Sequence, residues 1–375
     1  MKTFGPKTIS RQFEKRPLTY VIMVTILSII LLFGCGGKKM ELKYPNGKLQ
    51  EKYYVNKSGQ KEGPYASWYW NDKPHQKCTY KNGKQEGPDV HWYENGKKSL
   101  ECTYKNGVRE GAYAEWFESG LKSIECNYKN GKLDGPYAEW HKNGKKSLEC
   151  NYKNGVLEGS YTEWFENGTK SYEGIYKNGK KDGPYTYWHE NGRKLEQGID
   201  KNDKLDGPYI RWYKNGNKEH EGSCKDGIKT GPYVRYYENG KKQEEWTYKD
   251  GNQDGPYTLW FDNGTKKEEG FYKDGLRDGK CTRWYDNGNK QEECSYKGEK
   301  KDGPSMKWFK SGNKQEQCSY KNDKKEGAYT LWFENGKKQE AGFYKDGNRE
   351  GRYTTWYEDG NKQLENFYKD GKIIR

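Results

Sequence analysis

The chain has 375 residues, of which only 30% are hydrophobic and 33% are charged, with a formal net charge of +14. That composition excludes a thick Leu/Ile/Val core, but 14 Trp, 34 Tyr and 11 Phe also exclude ordinary disorder, which is poor in rings. The 47 Gly against 12 Pro point to many turns.

The first segment is unlike the rest. Residues 1–17 are basic, and 18–33 run LTYVIMVTILSIILLF without a charge before Gly34 and Cys35. Sixteen apolar residues are short for a spanning helix, which needs ~20. A basic stretch followed by a short apolar one reads as an export signal over 1–34. Leu32-Phe33-Gly34-Cys35 resembles the lipobox of bacterial lipoproteins. That resemblance implies lipidation at Cys35, with residues 35–43 as lipidated Cys and tether, and places the protein in the bacterial cell envelope, periplasmic or surface-exposed. A retained anchor and a cut elsewhere are the alternatives. Beyond this segment the charge excess is about +10, dispersed among the acids with no long basic block. A solvated surface is the simple reading, and nucleic acid is not an expected partner.

From residue 44 the chain repeats. Gly63, Gly87, Gly111, Gly135 and their successors to Gly351 lie 24 apart, and Trp68 recurs in step as Trp92, Trp116, Trp140, Trp164, Trp188 and Trp212. Tyr236 substitutes once before the Trp series resumes to Trp356. Thirteen units fill 63–375, and 44–62 read as a degenerate capping half repeat. Each unit carries two turn signals, such as Asn95-Gly96 and Asn106-Gly107; Asn-Gly is the strongest short hairpin signal because both residues tolerate positive φ. The (Asp/Glu)-Gly-Pro element between them removes a ladder donor and predicts a bulge. No stretch has a helical period. The expected fold is all-β: an elongated, single-layer antiparallel hairpin meander of 24-residue units, about twenty-six strands spaced ~4.8 Å apart, each unit touching only its neighbours. Trp and Tyr differ in parity, so both faces should carry rings.

The unit Tyr104-Lys105-Asn106-Gly107-x-x-Glu110-Gly111-x-Tyr113-x-x-Trp116-Phe117 resembles the bacterial variant of the MORN repeat (membrane occupation and recognition nexus). The likeness covers nearly all of the chain after the leader. Proteins with this variant are often labelled antitoxins, a label at odds with export.

Candidate chemistry is sparse. Cys78, Cys102, Cys126, Cys150, Cys294 and Cys318 share one column, whose other members are mainly Gly. Equivalent residues two strands apart sit ~9.6 Å from one another, too far for a disulfide or a shared zinc. The column therefore calls for a small residue. Cys224 and Cys281 stand alone in Tyr columns. Trp246 breaks the small-residue column in the unit where Tyr236 replaces Trp, either by a local size exchange or by chance. His141 and His189 read as ring substitutions. Glu101, Glu125, Glu149 and their successors form a row best read as cross-strand ion pairs. No catalytic set, metal site or cofactor motif is visible, so no enzyme activity and no cofactor are expected. The candidate binding surface is the aromatic-charged array, represented by Trp92, Trp116, Trp140, Trp164, Trp188, Trp212, Tyr113 and Tyr137. The expected function is a membrane-anchored scaffold for an unidentified envelope protein, or a surface spacer. The alternatives are a binder of cell-wall glycan or anionic lipid, and an antitoxin-like neutralising protein. Residues that break the consensus, such as Trp70, His75, Tyr236, Trp246 and Met306, are where a specific site could hide.

Overall fold

The computed structural model describes residues 37–374; the leader and Cys35 lie outside them. The described chain is one open antiparallel sheet of 35 strand segments, with no helix. Strands follow one another across the sheet in chain order, each paired with the strand before and the strand after. This is the hairpin meander that the 24-residue period predicts.

One unit explains the others. Lys98–Lys105 turns back into Val108–Trp116 through Asn106-Gly107. Both turn residues have positive φ, 52° and 82°, as a type I′ turn requires, and that turn matches the twist of the flanking strands. The other Asn-Gly differs from expectation. The Gly96 amide bonds to the Tyr93 carbonyl and the Tyr93 amide to the Lys97 carbonyl, which closes a three-residue loop, Glu94-Asn95-Gly96. Only Gly96 has positive φ there, so this is a type I turn completed by a left-handed residue. Asn95 contributes through its side chain instead: Oδ1 accepts from the Lys97 amide at 2.9 Å. The same dipeptide builds two turns because the strand ends it joins differ. Next to this loop the register shifts between His91 and Trp92, leaving an extra residue on the returning strand.

The predicted bulge is present. In one unit Leu133 faces Tyr128 and Tyr137 faces Cys126, so Asp134, Gly135 and Pro136 together oppose Asn127. The Pro nitrogen, which has no proton to donate, falls where the ladder is already interrupted.

The chain departs from expectation at its described start. Lys38–Lys43, expected as part of a tether, is a strand paired with Leu49–Val55. Its charges mask an alternation in which Met40 and Leu42 face Tyr53 and Glu51. The half repeat at 44–62 is thereby completed by a strand upstream of it.

The sheet has no second layer, so its core lies along one face. Leu100, Cys102 and Tyr104 register against Glu115, Tyr113 and Arg109. The cysteines are nearly sealed: Cys126 (3% exposed) and Cys150 (1%) each face tyrosines on both flanking strands. Where the column holds Gly the rings come closer still. A Cβ built on Gly270 would meet Tyr257 Cε1 at 2.8 Å. By contrast, nothing lies within 4 Å of a Cβ on Gly111, whose φ is +80°.

These two glycines separate backbone from packing costs. Gly111→Ala should cost about 1 kcal/mol, from left-handed backbone strain alone. Gly270→Leu should cost about 3 kcal/mol or more, since it forces the Tyr257 ring from its place. Urea unfolding followed by tyrosine fluorescence, with midpoints compared for the two variants, checks both values.

Candidate interaction surface

Besides the strand ladder, five bonds tie the unit around Trp92 to its neighbours. Around the turns, the Gly107 amide donates to the Gln85 carbonyl at 2.8 Å, and Glu86 Oε2 accepts from the Asn106 amide at 2.7 Å. At the opposite edge the Tyr93 hydroxyl donates to the Trp116 carbonyl at 2.6 Å, Asn95 Nδ2 to the Glu118 carbonyl at 2.9 Å and Lys97 Nζ to the Ser119 carbonyl at 2.6 Å. Glu86, the acidic residue before Gly87, thus caps the type I′ turn of the following unit, as Glu62, Glu110, Asp134, Glu158, Glu326 and Glu350 also do in theirs. Sequence reasoning missed this role. The signal was available in the acid that stands twenty residues before nearly every turn, with Thr230 as the exception.

His141 and His189 are explained by the same bonds. Their Nε2 atoms lie 3.0 and 3.2 Å from the Trp164 and Trp212 carbonyls, where Tyr93 and its equivalents place a hydroxyl. They replace a ring with a ring that makes the same contact.

The two faces differ in character. On one, Lys98 pairs in register with Trp92, and its ammonium lies 5.8 Å from the Trp116 ring centroid and 2.9 Å from Glu101. Lys122, Lys170 and Lys266 repeat the pattern with Trp140, Trp188 and Trp284. The expected glutamate ion pairs form, but mainly within one strand, three residues apart across the bulge. Cross-strand partners occur at Glu293 with Lys280 and at Glu365 with Arg352. Exposed pairs of this kind contribute ~0–1 kcal/mol each. Their main effect is that lysine charge on the Trp face is neutralised locally.

On the other face, the Arg109 guanidinium lies 4.6 Å from the Tyr113 centroid and 5.4 Å from Tyr128, and those two rings meet edge to face at 5.4 Å. Lys229, Lys325 and Arg349 clasp equivalent tyrosine pairs. The Tyr113 and Tyr137 hydroxyls donate to Glu115 and Glu139.

The structure therefore divides the sequence-derived surface. Trp92, Trp116, Trp140, Trp164, Trp188 and Trp212 are half-buried and share one face. Tyr113 and Tyr137 lie on the opposite face, and Tyr113 is in the core. No one partner surface contains both sets. Trp246 and Tyr236 are likewise on opposite faces. Trp246 faces Tyr233 and stacks on Tyr257 at 4.9 Å, whereas the Tyr236 hydroxyl reaches Glu221, so the two do not exchange volume.

Departures from the Tyr113 column mark two polar inserts. Asp89, 3% exposed, replaces Tyr and accepts from Gln76 Nε2 at 2.8 Å and Gln85 Nε2 at 3.1 Å, with His91 Nε2 at 3.1 Å. Burial pushes its pKa up, but these three partners outweigh burial and hold it below the usual value. His75 packs edge-on to His91 at 6.2 Å. At Cys281 and Ser305, missing rings are replaced by buried ion pairs: Arg283 with Glu268 at 2.9 Å and Glu292 at 3.2 Å, and Lys307 and Lys325 with Glu316 at 2.7 and 2.6 Å. Trp70 is 61% exposed. Among the described residues, no group of three or more His, Cys, Asp or Glu could hold a metal ion, and no helix is long and apolar enough to cross a membrane.

An open, single-layer array of β-hairpin repeats is a class of its own. The MORN repeat variant family model matches residues 85–106, 133–154, 157–178, 229–250, 253–274, 277–297, 301–322, 325–346 and 349–373, more than half of the sequence. The chain belongs to the MORN repeat variant family. No curated protein matches it. Among solved structures it is similar to a chain of "Crystal Structure of TcdB2-TccC3", with 10% identity and a TM-score of 0.18 over 90% of this chain and 18% of that one. A chain of "Crystal Structure of TcdB2-TccC3-Cdc42" gives 9% identity and a TM-score of 0.14 over 85% and 24%. The protein thus spans about a fifth of the length of those chains, and at these scores the likeness carries no argument.

The tyrosine core predicts sensitivity to alkali. Burial raises the hydroxyl pKa of Tyr80 and Tyr152 to about 12, and of Tyr113, Tyr161, Tyr185 and Tyr257 further. In the unfolded chain they ionise near ~10. Above pH ~10 the folded state holds more protons than the unfolded one, so stability is complete below that pH and falls as pH rises through 12. Tyrosinate absorbance at 295 nm and the far-ultraviolet strand signal should change together between pH 10 and 12. Full ionisation with the strand signal intact would contradict a tyrosine-sealed core.

Proposed function

We propose that the protein is a non-enzymatic lipoprotein of the bacterial envelope, held by a lipid on Cys35, whose repeat array binds or spaces a protein partner. The observation that carries this reading is the use of one sheet, unit after unit, from Lys38 to Ile373. Its side chains are spent on holding neighbouring units together, and the same Lys–Trp–Glu motif recurs on one face in most of the units. A surface repeated in this way suits avidity, because a partner that engages several units gains from each without any unit binding tightly. The local pairing of Lys with Glu supports a protein partner over an anionic polymer, since most of these ammonium groups already face a carboxylate. The Leu32-Phe33-Gly34-Cys35 motif supports the anchor.

The test has two arms. Cells fed a radioactive fatty acid should label the wild type and not Cys35→Ala, and the label should fractionate with the envelope. Crosslinking in the same cells should then trap a discrete protein partner on the wild type. Unlabelled protein recovered from the cytoplasm would overturn the anchor. Anchored protein that yields no crosslinked partner would overturn the binding role while leaving the anchor.

A further inference from the structure

Cys281 occupies a position that 24-residue arithmetic cannot assess. Its column neighbours one unit away are Tyr257 and Ser305. Its nearest facing residue, however, is its hairpin partner, thirteen positions on. Residues Gly279–Trp284 pair with Lys290–Lys297, and the register places Cys281 directly opposite Cys294. Directly opposed residues in an antiparallel ladder have Cα atoms ~4.5–5.5 Å apart. That is within the ~4.4–6.8 Å range of disulfides. The thiols share one buried cluster with Tyr296, at 3% and 2% exposure. None of the other described cysteines is registered against a cysteine: Cys78 faces Tyr65, Cys102 faces Asp89 and Tyr113, and Cys318 faces Ser305.

We infer that Cys281 and Cys294 form a cross-strand disulfide, made by exchange with an external disulfide oxidant while the chain folds. One thiolate attacks a sulfur of the oxidant, which forms a mixed disulfide and expels a thiolate. The second protein thiolate then attacks the protein sulfur of that mixed disulfide, which closes the Cys281–Cys294 bond and releases the second thiolate. The two protons given up by the cysteines go to the two leaving thiolates. The dithiol is oxidised by two electrons and the oxidant is reduced to two thiols.

The surroundings favour this sequence. Once the two thiols are paired, the hydrogen bond between them raises the pKa of Cys281, as does burial, and lowers that of Cys294. Once folded, the Tyr257 hydroxyl and Glu268 Oε1 each lie 3.6 Å from the Cys281 sulfur and cover it. The bond therefore forms before these groups close over the pair, and it resists reduction afterwards. It would link the two strands of one hairpin, at the place where Cys281 and Ser305 interrupt the tyrosine column. This inference is independent of the envelope assignment, because it is tested on the isolated chain.

The full chain, unfolded in reductant, is refolded in detergent with oxidised glutathione or with reduced glutathione, then alkylated in denaturant and digested with trypsin. With oxidised glutathione, most molecules should yield peptide 281–283 joined to peptide 291–297, separable by reductant, while Cys78, Cys102, Cys126, Cys150 and Cys318 carry the alkyl group. With reduced glutathione the joined peptide should be absent. Cys294→Ser should lose the joined peptide and leave Cys281 unlinked to any other cysteine. Alkylation of both Cys281 and Cys294 after oxidative refolding, with strand content restored, would overturn the inference. So would Cys281 linked in Cys294→Ser to another cysteine, since register would then not be selecting the partner.

Discussion

A sheet with no layer packed against it has to make its core from its own side chains, and everything else in this protein follows from that constraint. Aliphatic residues standing upright on a single face would leave most of their area in water. Tyrosine solves this differently. Its ring is long enough to lie across the neighbouring strand, and its hydroxyl reaches a carboxylate at the margin, as Tyr113 reaches Glu115 and Tyr257 reaches Glu268. The residue beneath must then be small, hence the column of Cys and Gly. The ring edge must also be covered, hence the cations at Arg109, Lys229 and Lys325. The scarcity of aliphatic residues is thus a consequence of the single layer.

The same constraint governs the edges. Each hairpin exposes two rows of turns, and turns by themselves do not propagate. Here each turn is bonded to the next. The acid before Gly caps the following type I′ turn, and Asn and Lys of the longer loop donate to carbonyls of the following loop. Stability is then close to a sum over neighbouring units, with no contact spanning the array. A substitution at one cap loosens two adjacent units and leaves the rest in place.

Where the tyrosine column breaks at Asp89, Cys281 and Ser305, the buried polar groups around the break are paired. Asp89, in place of Tyr, collects Gln76, Gln85 and His91. Glu268, Glu292 and Glu316 are matched by Arg283, Lys307 and Lys325 around Cys281 and Ser305. Buried charges are tolerated only when paired in this way. Paired clusters of this kind distinguish individual units from one another, which the repeated Trp–Lys–Glu face does not.

The period, the two turns, the bulge and the small-residue column could be read from the sequence, because each is set by a local backbone requirement that recurs every 24 residues: positive φ at Asn106-Gly107, a ladder interruption at Pro, no room for bulk beneath a ring. What needed the tertiary structure was every question of facing. Asn95-Gly96 forms a different turn because of the strand ends it joins, and Lys38–Lys43 becomes a strand because Leu49–Val55 lies beside it. Glu101 finds Lys98 on its own strand once the bulge brings the two together. Tyr113 is core, not surface, and Trp246 and Tyr236 never meet, because parity through two bulges decides the face. Cys281 meets Cys294 for the same reason: spacing along the column measures the distance between units, but only the hairpin register fixes which residue stands opposite.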